Sequence, residues 1–419
     1  MNVGFCRVTC VIGVACRGHP LIRPLPTATM KEREGGGEPF EVRVRAATGE
    51  LILSGYRKEG EARSPFVHGY LSGNCQLSHP GDGLSSDASG EFVTSWMEDQ
   101  ALVAVRDHMG CRPLYCAESG GISAFCTDLA PLSELRMNPH PLPQGAVLRL
   151  SPDGVAISLP RPIHRTLPFE GTLDEAAEKV WELLLRSLED RRRNAGTVAV
   201  SFSGGLDSSL LATALAKLYK VVLVSVFARG SKDAQSTSDA ADSLGLELIS
   251  FEVGGDEVRE ALNSLGGKAP FLSVMDRSLA AGFFLASTKA AELGIRTLVA
   301  GQGADEIFAG YHRYLEPHSE GLDLIERLRR ELPHLESGLR RDECAIAYGG
   351  CDASFPYSDR RLAEFSFSLP HSFLISGRVR KVVLRRLARK VGLPSKIADA
   401  EKKAFQYSSG IYRLVGPGP

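Results

Sequence analysis

Hydrophobic positions along the chain change period twice, and the changes mark its organisation. From Phe40 apolar and polar residues alternate through FEVRVRA, the turn ATGE and LILSGY, which predicts a β-hairpin with Gly49 in its turn. ALVAVRD, RPLYCAE, GISAFCTD and AVLRLSPDGVAIS continue as short strands, the last a hairpin about Pro152-Asp153-Gly154. Residues 39–158 therefore read as an antiparallel, strand-rich domain. Ahead of it, residues 1–38 pass from an apolar opening into HPLIRPLPTATMKEREGGGEP, whose Pro, Gly and charge predict irregular structure. That segment reads as an extension or a misassigned start, with Met30 the alternative first residue. Behind the strand-rich domain, LPRPIHRTLPFEG makes 159–171 a proline-rich linker.

At Thr172 the period becomes helical. Thr172 and Glu175 form a capping box, and Ala176, Val180, Trp181, Leu184 and Leu188 form an apolar stripe that ends at RRRN. Strands and helices then alternate: TVAVSFS, SSLLATALAKL, VVLVSVF, AQSTSDAADSLG, LELISFEV, a longer helical stretch around SLAAGFFLASTKAAELG, and IRTLVAG. Near-continuous Val, Ile and Leu in these strands predicts burial on both faces, hence a doubly wound parallel sheet over about 195–315. The rest reads as helices with short loops, and residues 172–412 form one α/β domain.

Composition narrows the partners. With 43% hydrophobic and 24% charged residues and a net charge of −1, the 419-residue chain has no bulk attraction for nucleic acid or an anionic membrane. Its nine cysteines are scattered singly, which predicts reduced thiols and a cytoplasmic protein. No run is long enough to span a membrane, and Arg7 interrupts the apolar GFCRVTCVIGVAC, so no secretory signal is read.

Candidate chemistry starts at SFSGGLDSS, residues 201–209, where the first parallel strand ends. Ligands of open parallel sheets bind outside the carboxyl ends of the strands. Gly204 and Gly205 let successive backbone N–H groups converge on an anion, and Ser203, Ser208 and Ser209 add hydroxyl donors. The loop is too short for G-x-x-x-x-G-K-S and has no lysine after the second glycine. Asp207 would repel a phosphate unless a divalent cation lay between them, which predicts Mg²⁺; the plain alternative is a glycine-rich turn with a capping aspartate. Nearly a hundred residues on, AGQGADEIFAGYHRY places Asp305 and Glu306 at another strand end, where Asp207 and Asp305 can share one metal.

SGGLDS resembles the pyrophosphate loop of N-type ATP pyrophosphatases. Together with GQGADEIFAGY, FPYSDRRLAEFSFSLP and KVVLRRLARKVGLPSKIADAEKKAF, it resembles the synthetase domain of the asparagine synthetase family over roughly 195–410. RDHMGCRPLY, FCTDLAPL and LPQGAVLRL resemble the end of that family's glutaminase domain. The resemblance implies an adenine-nucleotide α-hydrolase-like parallel sheet with a helical C-terminal part, preceded by an antiparallel N-terminal-nucleophile-hydrolase-like domain. It implies ATP as substrate, Mg²⁺ on Asp207 and Asp305, and pyrophosphate on Ser203, Gly204, Gly205, Asp207 and Ser208. Adenine would be framed by backbone around Phe202, Val226 and Gly301. Lys402, with Lys403 the near alternative, would neutralise the leaving pyrophosphate, and Lys381 would point toward the phosphates, against the plain reading of its helix as a solvated amphipathic face.

The implied reaction attacks the α-phosphorus of ATP with a carboxylate, aspartate in the family, to give an acyl-adenylate that an amine then opens. Partners would be a small carboxylate and an amine, with no nucleic acid and no membrane, and a homodimer is left open. Two positions depart from the pattern. Residue 2 is Asn where the family has a nucleophilic Cys, and Cys10 would serve only after removal of nine residues. This predicts a degenerate glutaminase domain and nitrogen from ammonia. Gln302 stands where an acid is usual, and an amide cannot act as a base. A β-lactam synthetase-like or other amidoligase, and a non-catalytic nucleotide-binding homologue, are the alternatives.

Overall fold

A computed structural model describes residues 10–16, 25–27, 38–46, 49–57, 66–72 and 89–98. It also describes residues 101–415 apart from 120–121, 135, 152–153, 159–166, 192–195, 232, 267–272, 319 and 401–408. The chain divides into two compact units, Met1–Arg161 and Pro162–Pro419.

The first unit is built from antiparallel strands. β1 (Cys10–Cys16), β2 (Leu25–Thr27), β3 (Glu38–Ala46), β4 (Gly49–Arg57), β5 (Phe66–Ser72) and β6 (Ser89–Glu98) are followed by β7 (Ala101–Arg106), β8 (Tyr115–Ser119) and β9 (Ile122–Cys126). A short helix α1 (Leu129–Glu134) precedes β10 (His140–Pro141), β11 (Val147–Ser151) and β12 (Gly154–Ser158). One sheet runs β10-β8-β9-β1-β2, a second β12-β11-β7-β6-β5, and β3 pairs with β4. Val93, Leu102 and Leu148 of the second sheet and Cys116 and Phe125 of the first share one hydrophobic core.

Two expectations need correction here. The stretch 1–38 is not wholly irregular, because β1 pairs with β9 from Ile12 to Cys16 and β2 pairs with β1. The β-branched Val11, Ile12 and Val14 of CVIGVAC suit a strand once β9 supplies an edge. Gly49 opens β4 opposite Ala46, which puts it at the closing position of the hairpin that the sequence predicts. Finally, Cys126 is disulfide-bonded, against the expectation of reduced thiols throughout, whereas Cys111, Cys116, Cys344 and Cys351 form no disulfide. Asn2 and the Cys10 side chain lie outside what is described.

The second unit opens with α2 (Leu173–Asp190), whose capping box forms as the sequence predicts: Glu175 N–H donates to Thr172 Oγ1 and Thr172 N–H to the Glu175 carboxylate. Leu183 joins the buried stripe, while Trp181 sits at its margin beneath the Lys217 ammonium. Then come β13 (Thr197–Ser201), α3 (Leu206–Leu215), β14 (Lys220–Ala228), α4 (Asp233–Leu244), β15 (Glu247–Val253), α5 (Gly255–Leu265), α6 (Val274–Glu292) and β16 (Thr297–Val299). They form a parallel sheet of order β15-β14-β13-β16-β17, in which β17 is Asp352–Ser354. β14 is buried at every residue after its first, so both sheet faces are covered there, whereas edge strand β15 stays half-exposed.

The helical remainder comprises α7 (Ala304–Ile307), α8 (Leu324–Glu331), α9 (Leu335–Gly349), α10 (Arg360–Ser366), α11 (His371–Leu374), α12 (Val382–Lys390) and α13 (Ser395–Ala398). A two-residue ladder, β18 (Ile375–Ser376) with β19 (Val379–Arg380), leads into α12. Strand order reverses at β13, with β14 and β15 on one side and β16 and β17 on the other. The loops leaving β13 and β16 therefore flank the topological switch point, where such sheets bind ligands.

Candidate active site

The loop after β13 is folded on itself by its own hydroxyls. Ser203 Oγ and Ser208 Oγ lie 3.1 Å apart, Gly205 N–H donates to Ser203 Oγ at 3.4 Å, and Ser208 Oγ donates to the Gly205 carbonyl at 3.2 Å. Gly204 has φ +71°, and a Cβ there would come within 3.1 Å of the Thr237 backbone, so only glycine fits without strain. Gly205 caps α3 without any side-chain contribution, which leaves the first-turn N–H groups of that helix suited to an anion. Ser209 departs from expectation: it is fully buried inside α3, and its hydroxyl makes none of the loop's hydrogen bonds.

The second loop runs alongside the first. A Cβ on Gly301 would lie 3.7 Å from Asp207 Cβ and 4.0 Å from Ser208 N. Gly303, at φ +97°, turns the chain into α7 and sets Asp305 and Glu306 in its first turn. Tyr357, fully buried after β17, donates its hydroxyl to the Asp207 carbonyl at 3.1 Å, and Ser358 Oγ donates to the Gln302 carbonyl at 3.1 Å. Burial, with the Asp207 charge nearby, pushes the Tyr357 hydroxyl far above its ordinary range, so it stays a donor.

Between the loops sits Lys381. Its ammonium lies 2.5 Å from Asp207 Oδ2 and 2.6 Å from Asp305 Oδ1, and the residue is 3% exposed. It caps α12 in the left-handed conformation, φ 56°, a strained position for a lysine that aims the side chain between the carboxylates. Burial lowers its pKa, and the Asp207 charge opposes that shift. Gly310 makes the approach spatially feasible, since a Cβ there would fall 1.9 Å from Asp305 Oδ1 and 2.2 Å from Lys381 Cε. Beside them Glu306 is pushed up by burial and accepts from the Tyr311 hydroxyl at 2.6 Å.

Two carboxylates within 2.6 Å of one cationic nitrogen suit Mg²⁺, which takes one or two carboxylates and fills its remaining positions with water and substrate phosphate. Lys381 is the cation that stands there in this structure. Among the described residues, no group of three or more His, Cys, Asp and Glu converges as an all-protein metal site.

The structure thus brings together Ser203, Gly204, Gly205, Asp207, Ser208, Gly301, Asp305 and Lys381. Lys402 and Lys403 lie outside the described residues. Phe202 and Val226 are buried, at the end of β13 and on β14. Phe202 N–H donates to the Val224 carbonyl at 2.9 Å and its own carbonyl accepts from Ser225 Oγ at 2.5 Å, so its N–H is not available to adenine. Sequence reading assigned no role to Tyr357, Ser358, Gly310 or Asp342. FPYSDRR was the visible signal for the first two, and the glycine of FAGY for the third.

Comparison with known proteins comes to the same region. The asparagine synthase family profile matches residues 179–345 and 334–414, together more than half of the chain. An asparagine synthetase homologue of Methanocaldococcus jannaschii is 28% identical over 282 residues, 59% of this chain and 52% of that protein. A glutamine-hydrolyzing asparagine synthetase of Triphysaria versicolor is 25% identical over 354 residues, 78% of this chain and 58% of that one. The chain spans about half the length of the curated relatives it matches. Among solved structures, an NMN synthetase from Francisella tularensis is 13% identical, covering 57% of this chain and 78% of that one, with a TM-score of 0.32, too low to carry an argument.

Proposed function

We propose, from the fact that the chain belongs to the asparagine synthase family, that it is an ATP-dependent amide-forming ligase that releases AMP and pyrophosphate. The observation that carries this reading is the convergence of Asp207, Asp305 and Lys381 beside the Ser203–Ser208 loop at the sheet's switch point. A carboxylate is a poor acylating agent, and attack of its oxygen on the α-phosphorus of ATP turns it into an acyl-adenylate. No protein nucleophile is needed, so catalysis rests on positioning and on neutralising charge that builds on pyrophosphate.

Ser203, Gly204, Gly205 and Ser208 bind the β- and γ-phosphates through loop N–H groups and hydroxyls. Mg²⁺, which Asp207 and Asp305 would hold, supplies charge neutralisation of those phosphates. Lys381 turns from the carboxylates to the phosphate oxygens, and Lys402 neutralises the departing group from the other side. Phe202, Val226 and Gly301 shape the adenine pocket. Tyr357 holds the Asp207 backbone and so fixes where its carboxylate starts.

Aspartate is the first carboxylate to test, with ammonia as nitrogen source. Gln302 favours a second reading, amidation of another carboxylate, including one within the same molecule, since the acid usual at that position is replaced. The test is carboxylate-dependent release of pyrophosphate from ATP, screened over aspartate, other amino acids and β-amino acids with ammonium present. One carboxylate should raise release at least tenfold, and Asp207→Asn should abolish that increment while circular dichroism stays native. Release that no carboxylate stimulates rejects the ligase reading in favour of a non-catalytic nucleotide binder, and an unimpaired Asp207→Asn removes the metal assignment.

A further inference from the structure

Behind Gln302 stands a buried relay that the proposed chemistry has not yet used. The Gln302 side-chain amide nitrogen donates to Asp342 Oδ2 on α9, 40 residues further along the chain. Asp342 is fully buried, and its other oxygen, Oδ1, accepts from Arg341 Nε at 2.7 Å. Arg341 reaches on to Asp276 Oδ1 at 2.6 Å, and Asp276 is fixed in the first turn of α6, where its N–H donates to the N-cap Ser273 Oγ at 3.0 Å and the Ser273 hydroxyl donates to its carboxylate at 2.6 Å. Both Asp342 oxygens accept, which is the pattern of an ionised carboxylate neutralised by Arg341.

An amide side chain has a donor end and an acceptor end of nearly equal shape, so its orientation is set by what it bonds. Burial pushes the Asp342 carboxyl up while the Arg341 guanidinium and the Gln302 amide pull it down, and with both oxygens accepting it takes the nitrogen end of Gln302. The Gln302 backbone is also held, since its carbonyl accepts from Ser358 Oγ at 3.1 Å. The amide oxygen is then the end that Asp342 does not take.

We propose that Asp342 is a positioning residue that holds the Gln302 amide with its oxygen toward the incoming nitrogen, so that the site orients a neutral amine or ammonia through its N–H. This rests on the amide-ligase reading. In the step it serves, the nitrogen lone pair forms the C–N bond to the acyl carbon and the C–O bond to AMP breaks, its electron pair leaving with AMP. The proton shed by nitrogen passes to solvent, because an amide cannot take it. A flipped Gln302 would instead donate to that same lone pair and withdraw it from reaction. A neutral acceptor also draws ammonium, the protonated form that has no lone pair to give, less strongly than a carboxylate at that position would.

The test compares wild type, Asp342→Asn, Gln302→Met and the double variant, using ammonium chloride as nitrogen source and the best carboxylate. Two rates are read: carboxylate-dependent ATP–pyrophosphate exchange and amide formed. Asp342→Asn should lower the ratio of amide formed to exchange at least tenfold, chiefly through a raised KM for ammonium. Gln302→Met should do the same, and adding Asp342→Asn to it should change the ratio less than twofold, because the two residues act as one unit. An unchanged ratio in either single variant, or a further tenfold fall in the double variant, overturns the proposal. Gln302→Met leaves the Asp342–Arg341 pair intact and carries the test if Asp342→Asn does not fold. In nitrogen-15-labelled protein the Gln302 side-chain amide hydrogens should exchange slowly with solvent, and fast exchange in wild type also overturns the proposal. Failure of the ligase reading looks different: no carboxylate elicits exchange in wild type, while the amide hydrogens still report whether Asp342 holds Gln302.

Discussion

Lys381 and Gly310 show how few atoms decide whether the two loops form one site. The lysine ammonium can bridge Asp207 and Asp305 only because position 310 has no side chain. Gly310→Ala should therefore destabilise the second unit by roughly 1–3 kcal/mol, the usual cost of overpacking a filled core, read as a lower urea midpoint. It should also depress pyrophosphate release well beyond that loss, since Asp305 or Lys381 must shift to make room. A variant with native midpoint and native release would mean the cradle is more open than the geometry implies. At this scale the sequence disclosed what is local. SGGLDS and GADE name their own residues because a tight turn at a strand end needs glycine and a cation needs carboxylates. Lys381 lies 174 residues from Asp207, and Asp342 lies 40 from Gln302, so no periodicity connects either pair.

At the level of elements, α12 carries two jobs on two faces. Val383, Leu384, Leu387 and Ala388 are buried, while Arg385 reaches the Ala398 and Ala400 carbonyls at 2.8 and 2.9 Å. Arg386 grips Asp174 of α2 with two bonds, at 2.6 and 2.7 Å, and Lys390 bridges Asp174 and Glu178. The basic run that reads as a solvated face is thus half solvated and half clamp. The Arg386 guanidinium holds the Asp174 carboxyl down at about 2. A carboxyl depressed in the folded state contributes stability above the ordinary carboxylate range and loses it as pH falls through that range toward 2. A carbon-13 titration should place the Asp174 midpoint at about 2 and return it to the ordinary range in Arg386→Met. An ordinary midpoint in wild type would show that the clamp does not persist in solution. The βα alternation was legible because buried parallel strands are continuous apolar runs. β17 was not, since the three residues DAS become a strand only by pairing with β16.

For the whole molecule, the parallel sheet supplies one reversal of strand order, and the two loops beside it carry the glycines and carboxylates of the site. The antiparallel first unit was foreseen as strands. Its β1 was missed, because a short apolar run flanked by Pro and Gly has no period of its own and is completed only by β9. No helix among the described residues is long and apolar enough to cross a membrane. The central claim is that this fold splits ATP at the α-phosphorus by attack of a carboxylate oxygen, and isotope transfer tests it most directly. With a substrate carboxylate labelled with oxygen-18, single-turnover products analysed by mass spectrometry should carry one labelled oxygen in AMP, equal in amount to the amide formed. Label in orthophosphate with ADP as the nucleotide product, or unlabelled AMP alongside amide, would contradict it.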